Sequence, residues 1–198
     1  MTTALRFAVI GHPIHHSRSP DIHLAFAKQF GIDLQYDRID PTPERFESVV
    51  ERFFSQGGVG LNVTVPFKEL AWQLASKGLS ARARDAQAVN TLWQQAGQIQ
   101  GCNTDGVGLV SDLQRLGVPL SNANILMIGA GGAARGVLGP LLDSGCAQLC
   151  VVNRTAQRAQ TLVGEWIEKY PDDANRLSAG GLDQIDSRTD WQLVINAT

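Results

Sequence analysis

The chain has 198 residues, 43% hydrophobic and 18% charged, with 20 glycines and 8 prolines, a composition expected of an ordinary globular protein with an adequate core. A net charge of -2 without a dense Lys/Arg stripe argues against a nucleic-acid partner, and no apolar run approaches a membrane span. The segment Met1–Phe7 lacks a basic stretch followed by a long apolar core, and Cys102, Cys146 and Cys150 are odd in number without metal-type spacing; the chain therefore reads as cytoplasmic, with reduced thiols.

Strand and helix signals alternate from end to end, which predicts α/β architecture. Residues 6–11 (Arg-Phe-Ala-Val-Ile-Gly) read as a first strand. Ser19, Pro20 and Asp21 then open a helix, with Ser19 as N-cap, an apolar face of Leu24, Phe26, Ala27 and Phe30, and Gly31 as its stop. Residues 34–39 form the next strand. A helix begins near Thr42-Pro43-Glu44 and ends at Gly57-Gly58, and Val59–Val63 is a third strand with Pro66 at a helix start beyond it. Ala88–Trp93, the Ala96-Gly97 turn and Ile99–Cys102 read as a hairpin. Thr104-Asp105 begins a helix that runs to Gly117. Strand 124–129, helix 132–144, strand 148–153, helix 155–169, a short strand near 177 and a strand at 193–197 complete the series. The division expected is an N-terminal α/β domain over 1–105, then a linking helix and a second α/β domain over 106–198.

The second half carries the clearest motif. Gly129-Ala130-Gly131-Gly132-Ala133-Ala134 fits G-x-G-x-x-A between a strand and a helix. The first glycine allows a tight turn, the second lets a pyrophosphate approach the backbone, and Ala134 replaces the third where helix and strand pack closely. Free amides at the helix start then meet the phosphate charge. The next strand ends in Asn153-Arg154-Thr155, with Arg158 one turn on. An NAD site places an acid at this point; Arg154 instead offers a guanidinium to a 2′-phosphate, so NADP is expected. Arg158 reads equally as a member of that anion pocket or as a solvated helix residue.

In the first half, Gly11–Pro20 runs from a strand end to a helix start, and Ser17 and Ser19 with free amides make a carboxylate cradle. His12, His15, His16 and His23 lack a spaced carboxylate or thiol to complete a metal site. Asn62, Thr64 and Lys68 lie at the end of a buried strand, where open α/β sheets bind ligands. Lys68 is the acid–base candidate and Asp105 the acid that would orient it; a surface ion pair is the competing reading.

Gly11–Pro20, Asn62–Lys68, Ala88–Thr91 (with Asn90), Asn103–Asp105, Gly129–Ala134 and Asn153–Ala159 stand in the order found in shikimate dehydrogenases, and the chain resembles that family along essentially its whole length. The resemblance implies NADPH-dependent reduction of 3-dehydroshikimate to shikimate in aromatic amino-acid and chorismate biosynthesis, by a monomer or homodimer. It implies that the first domain is a substrate-binding domain and the second a Rossmann-type dinucleotide-binding domain. It implies that Ser17 and Ser19 hold the substrate carboxylate, and that Asn62, Thr64, Asn90 and Asp105 bind its hydroxyls or keto oxygen. Lys68 would be the catalytic acid–base group paired with Asp105, Gly129 to Ala133 would cradle the pyrophosphate, and Asn153 to Arg158 the 2′-phosphate. Gln87, where glycine is usual before Ala88, and Leu24, where asparagine commonly follows the histidine, depart from the pattern.

A complete Rossmann sheet has six strands, and about four are legible here, the last ending within a family motif at Asn196–Thr198. An unfinished sheet with an open edge, impaired stability and little activity is the expectation for the isolated product. A quinate/shikimate dehydrogenase and a short, non-catalytic NADP(H)- or shikimate-binding protein are the alternatives.

Overall fold

A computed structural model describes residues 4–186 and 189–198. Met1–Thr3, part of the segment read above for a leader, lie outside the described residues. The fold is α/β in two compact units that divide between Asn103 and Thr104.

The first unit holds β1 (Leu5–Ile10), α1 (Ser19–Phe30), β2 (Leu34–Ile39), a 3-10 turn at Pro43–Arg45 leading into α2 (Phe46–Ser55), β3 (Gly58–Val63), α3 (Lys68–Leu74), α4 (Ala81–Ala86), β4 (Thr91–Gln95) and β5 (Gln98–Cys102). Its sheet has the order β2-β1-β3-β4-β5, with β1 parallel to both neighbours and β4 antiparallel to β3 and β5. In α2, Phe46, Val49, Val50, Phe53 and Phe54 recur at helical spacing and are all buried. They pack on Ala8 and Ile10 of β1, Leu61 and Val63 of β3 and Leu92 of β4, which alternate along their strands towards that face. The opposite face carries Val9, Ile14 and Tyr36, with Phe7 and Leu34 beside them.

Three local expectations are corrected. Ser19 is the first helical residue of α1; Arg18 holds the N-cap position, and no side chain caps the helix. Within α1, Ala27 is buried, whereas Leu24 and Phe26 are 45% and 51% exposed and Phe30 is 70% exposed. Of the residues predicted as the inner face only Ala27 is covered, and Pro20 is the other buried residue of the helix. Pro66 follows a cis peptide bond in a turn, and α3 starts two residues later at Lys68. Sequence reading also left α4 unassigned, although Ser80 caps it by accepting from the Ala83 amide at 3.2 Å.

The second unit comprises α5 (Asp105–Arg115), β6 (Asn124–Ile128), α6 (Gly132–Asp143), β7 (Gln148–Asn153), α7 (Ala156–Lys169), β8 (Leu177–Gly181) and β9 (Leu193–Asn196). The sheet order is β8-β7-β6-β9, all parallel. Near-continuous apolar runs make β6 and β7 the buried centre of this sheet: Ile125, Met127, Leu149 and Val151 sit in one core with Leu138, Leu141 and Leu142 of α6 and Ala159, Leu162 and Val163 of α7, while β9 leaves Val194 54% exposed. The chain leaves β6 towards β7 on one side and later returns to pair β9 on the other. That reversal makes a crevice at the carboxyl ends of β6 and β9, the position at which open α/β sheets take ligands.

Candidate active site

In the first unit, the candidate substrate groups gather at one end of the sheet. Asn62 pairs with Thr91 across β3 and β4, and Thr91 with Cys102 across β4 and β5, so the β3 end, the β4 start and the β5 end share one edge. Asn90 is fixed there through its backbone: its carbonyl accepts from Val63 at 2.7 Å and its amide donates to Cys102 at 3.1 Å. Its Oδ1 also accepts from the Thr91 hydroxyl at 2.9 Å. Thr64 follows β3, donates its amide to the Ile10 carbonyl at 3.0 Å and accepts from Phe67 at 2.9 Å. Gly11 permits this approach: a Cβ there would lie 2.6 Å from Thr64 Cγ2 and 2.8 Å from Ile14 Cδ1. Lys68 opens α3 half-buried, and its carbonyl accepts from Val89 at 2.8 Å, tying α3 to the Asn90 segment.

Ser17 and Ser19 are half-buried, with their hydroxyls 3.1 Å apart, and Ser17 Oγ also accepts from the Ser19 amide at 3.3 Å. Two adjacent hydroxyls at the start of α1, where the N-cap residue Arg18 makes no side-chain cap, suit an acceptor with two oxygens. Beside them, the Tyr36 phenol donates to Asn62 Oδ1 at 2.5 Å, and His23 stacks on Tyr36 with ring centroids 4.5 Å apart and 9° between planes. Burial pushes the Tyr36 phenol well above its ordinary range, so it remains a donor at any working pH.

Burial holds His23 below the ordinary histidine value of 6.5, against a hydrogen bond with Asn62 that raises it. The unfolded chain therefore binds this proton more readily than the folded one. Stability from neutral His23 is present above pH 6.5 and is lost as pH falls through that value towards the lower folded pKa. Melting temperatures measured on both sides of this window should fall on the acidic side, and His23→Phe, which keeps the stack, should flatten the fall. An unchanged slope in that variant would refute the assignment.

In the second unit, a cavity of about 370 Å³ opens at the crevice, lined by Gly129, Ala130, Gly131, Asn153, Arg154, Thr155 and Arg158 together with Ile128, Leu182, Ala197 and Thr198. Gly132 and Ala133 are absent from that lining and form the first turn of α6, whose N-cap is Gly131. No side chain caps α6, so its first amides remain available to an anion. A Cβ on Gly131 would meet nothing within 4 Å, which leaves its backbone open to a ligand, and Ala134 is fully buried where helix and strand meet. Asn153 Nδ2 donates to the Thr155 carbonyl at 3.0 Å and shapes the turn that presents Arg154. Leu182, Ala197 and Thr198 were not among the expected cofactor residues: the last two stand in the motif at 196–198, and Leu182 follows β8 with no motif around it.

A model of the shikimate dehydrogenase substrate binding domain matches residues 9–92, and a model described as shikimate / quinate 5-dehydrogenase matches residues 112–181. The NADP(+) shikimate dehydrogenase of Bordetella petrii is 55% identical over 193 residues, which is 98% of this chain and 67% of that protein. The corresponding enzyme of Acinetobacter baylyi is 48% identical, with 98% of this chain and 72% of the relative covered. The chain belongs to the shikimate dehydrogenase family. It spans about two thirds of the length of the curated relatives it matches. Among solved structures, a shikimate dehydrogenase in complex with NADP+ superposes with a TM-score of 0.87 at 33% identity, covering 98% of this chain and 67% of that one.

Both family models fall on regions that hold the candidate groups: Ser17 through Asn90 lie within the first, and the Gly129 turn with Asn153–Arg158 within the second. Asp105 lies between the two matched spans and opens α5 in the second unit. Asn103 was quoted in the sequence only as part of a motif. It is 2% exposed and donates Nδ2 to the Ala88 carbonyl at 3.0 Å, so it braces the segment before Asn90. Among the described residues, no cluster of histidine, cysteine or carboxylate side chains could hold a metal ion, and no helix is long and apolar enough to cross a membrane.

Proposed function

We propose that this protein is an NADP-dependent shikimate dehydrogenase that interconverts 3-dehydroshikimate and shikimate, with residues 1–105 as substrate domain and 106–198 as linking helix and cofactor domain. The observation that carries the reading is the pairing, in one family member, of an NADP-type crevice lined by Arg154 with a strand-end cluster that includes Lys68, Thr64 and Asn90. When bound, NADPH supplies a hydride to a carbonyl carbon. The crevice fits that cofactor: open backbone at Gly131 and free α6 amides for the pyrophosphate, and Arg154 with Arg158 for the 2′-phosphate.

Ser17 and Ser19 bind the substrate carboxylate, while Asn62, Thr64 and Asn90 bind its ring oxygens. Lys68 donates a proton to the oxygen of the reduced carbonyl, and in the reverse direction removes it from the hydroxyl. Asp105 is its partner in orientation and charge. The cytoplasm is the proposed location, with monomer or homodimer as the working state and neither nucleic acid nor membrane as partner; the net charge of -2 supports this.

Arg154→Ala should raise the KM for NADPH by about 10- to 100-fold while leaving that for NADH unchanged, since a charge-assisted hydrogen bond to phosphate is worth about 1.5–3 kcal/mol. Equal losses with the two cofactors would contradict the 2′-phosphate role. The substrate assignment is tested by comparing oxidation of shikimate and quinate with NADP+. Preference for shikimate is expected, because quinate carries an extra hydroxyl beside the carboxylate that Ser17 and Ser19 must accommodate. Equal turnover would favour a quinate/shikimate dehydrogenase.

A further inference from the structure

Inside the loop that carries Ser17 and Ser19, the Ser17 amide donates to the Ile14 carbonyl at 3.0 Å and Ser17 Oγ accepts from the Ser19 amide at 3.3 Å, and the His12 amide donates to the Val65 carbonyl at 3.0 Å. Ile14 anchors it by burial, whereas His12, Pro13, His15, His16 and Arg18 are exposed. Further support comes from β2. Tyr36 and Arg38 share one face of that strand, and Asp40 is the next position in the same alternation. Polar groups of Arg38 and Asp40 reach the loop. Asp40 Oδ1 lies 2.6 Å from His12 Nδ1, and its Oδ2 accepts from the Ile14 amide at 3.4 Å. Tyr36 donates its phenol proton to Asn62 Oδ1 at 2.5 Å. Arg38 gives Nε and Nη2 together to the Ser17 carbonyl, at 2.9 and 2.6 Å.

Two donors from one planar guanidinium on one carbonyl fix both the position and the tilt of the Ser17–Arg18 peptide. That peptide links Ser17 to the start of α1, where Ser17 Oγ meets the Ser19 amide and hydroxyl at 3.3 and 3.1 Å. We propose that Arg38 is a positioning residue for the substrate carboxylate: it touches no substrate, and it holds the two serine hydroxyls in the pairing that a carboxylate requires. This rests on the reading of Ser17 and Ser19 as the carboxylate cradle. Arg38 is exposed, so its replacement leaves the packed core intact.

A general weakening of the fold would affect every ligand alike, whereas a positioning role is specific to the carboxylate. The test compares shikimate with its methyl ester as substrates for NADP+ reduction by the full chain. Arg38→Ala should raise the KM for shikimate about tenfold and leave kcat within about twofold. The preference for shikimate over the ester should narrow by about the same factor, with the KM for NADP+ unchanged. Arg38→Lys, with a charge but no two-pronged donor, should fall between. Ser17→Ala separates the two levels of the argument. If Ser17→Ala leaves the preference wide, the cradle reading fails and this inference with it. If Ser17→Ala narrows it and Arg38→Ala does not, or if Arg38→Ala raises both KM values equally, only the positioning role of Arg38 is overturned.

Discussion

Replacing Lys68 with alanine should lower kcat for 3-dehydroshikimate reduction by about 10²–10⁴, the usual contribution of a placed general acid. The structure limits what else the change can do. Lys68 is the first residue of α3 and is half-buried, and its backbone carbonyl, which the substitution retains, makes the hydrogen bond to Val89. The α3–Asn90 tie therefore survives in Lys68→Ala. Binding of NADPH, whose candidate residues all lie in the second unit, should be unchanged. Loss of the ammonium should weaken substrate binding far less than it slows turnover, because its proton is needed at the developing alkoxide rather than in the ground state. Steady-state kinetics with separate cofactor titration checks this. A kcat reduced less than about tenfold would remove Lys68 from the chemistry.

Gly129→Ala should damage the second unit more than any other single methyl group in its glycine turn. Gly129 has φ 121°, a conformation that alanine rarely adopts, and an added Cβ would stand 2.5 Å from the Ala197 carbonyl oxygen. That carbonyl cannot retreat freely, since the Ala197 amide donates to Ile128 at 2.7 Å and holds β9 to β6. Backbone strain and overpacking together cost roughly 2–6 kcal/mol. Ala197 and Thr198 also line the cofactor cavity, so displacement of β9 reshapes it and NADPH affinity should fall by more than about tenfold. Gly131→Ala is the contrast: its Cβ enters open space, so the melting temperature should hold while NADPH affinity drops. If Gly129→Ala melts and binds NADPH as the parent does, the account of this turn is wrong.

The reason for Gly129 was only half visible beforehand. A tight turn was inferred from the G-x-G-x-x-A spacing, but the contact that forbids a side chain comes from Ala197, 68 residues along, on a strand whose place beside β6 follows from topology. Motifs bound to one strand–turn–helix unit were legible because their spacing is their geometry; Arg154 and Arg158 reach the cavity for that reason. An apolar face was predicted for α1 alone, where it failed, although α2 is the helix whose buried residues keep a strict helical period. Leu24 and Phe30 stand three residues to either side of Ala27, yet they are 45% and 70% exposed while Ala27 is buried, so helical spacing alone did not decide which residues are covered. Arg38 and Tyr36 carried no signal at all. Their partners lie across a parallel strand connection, and an exposed arginine on an edge strand looks like any solvated charge.

The central claim is that an NADP crevice and a Lys68-centred substrate site serve one reaction. The initial rate of 3-dehydroshikimate reduction, followed by nicotinamide absorbance at equal NADPH and NADH, tests it most directly. The account predicts turnover with NADPH, slowed by the open β9 edge of the four-stranded sheet, and a rate at least about tenfold lower with NADH, the discrimination expected of one guanidinium–phosphate contact. Binding of both NADPH and shikimate without turnover, or equal rates with the two cofactors, would contradict it.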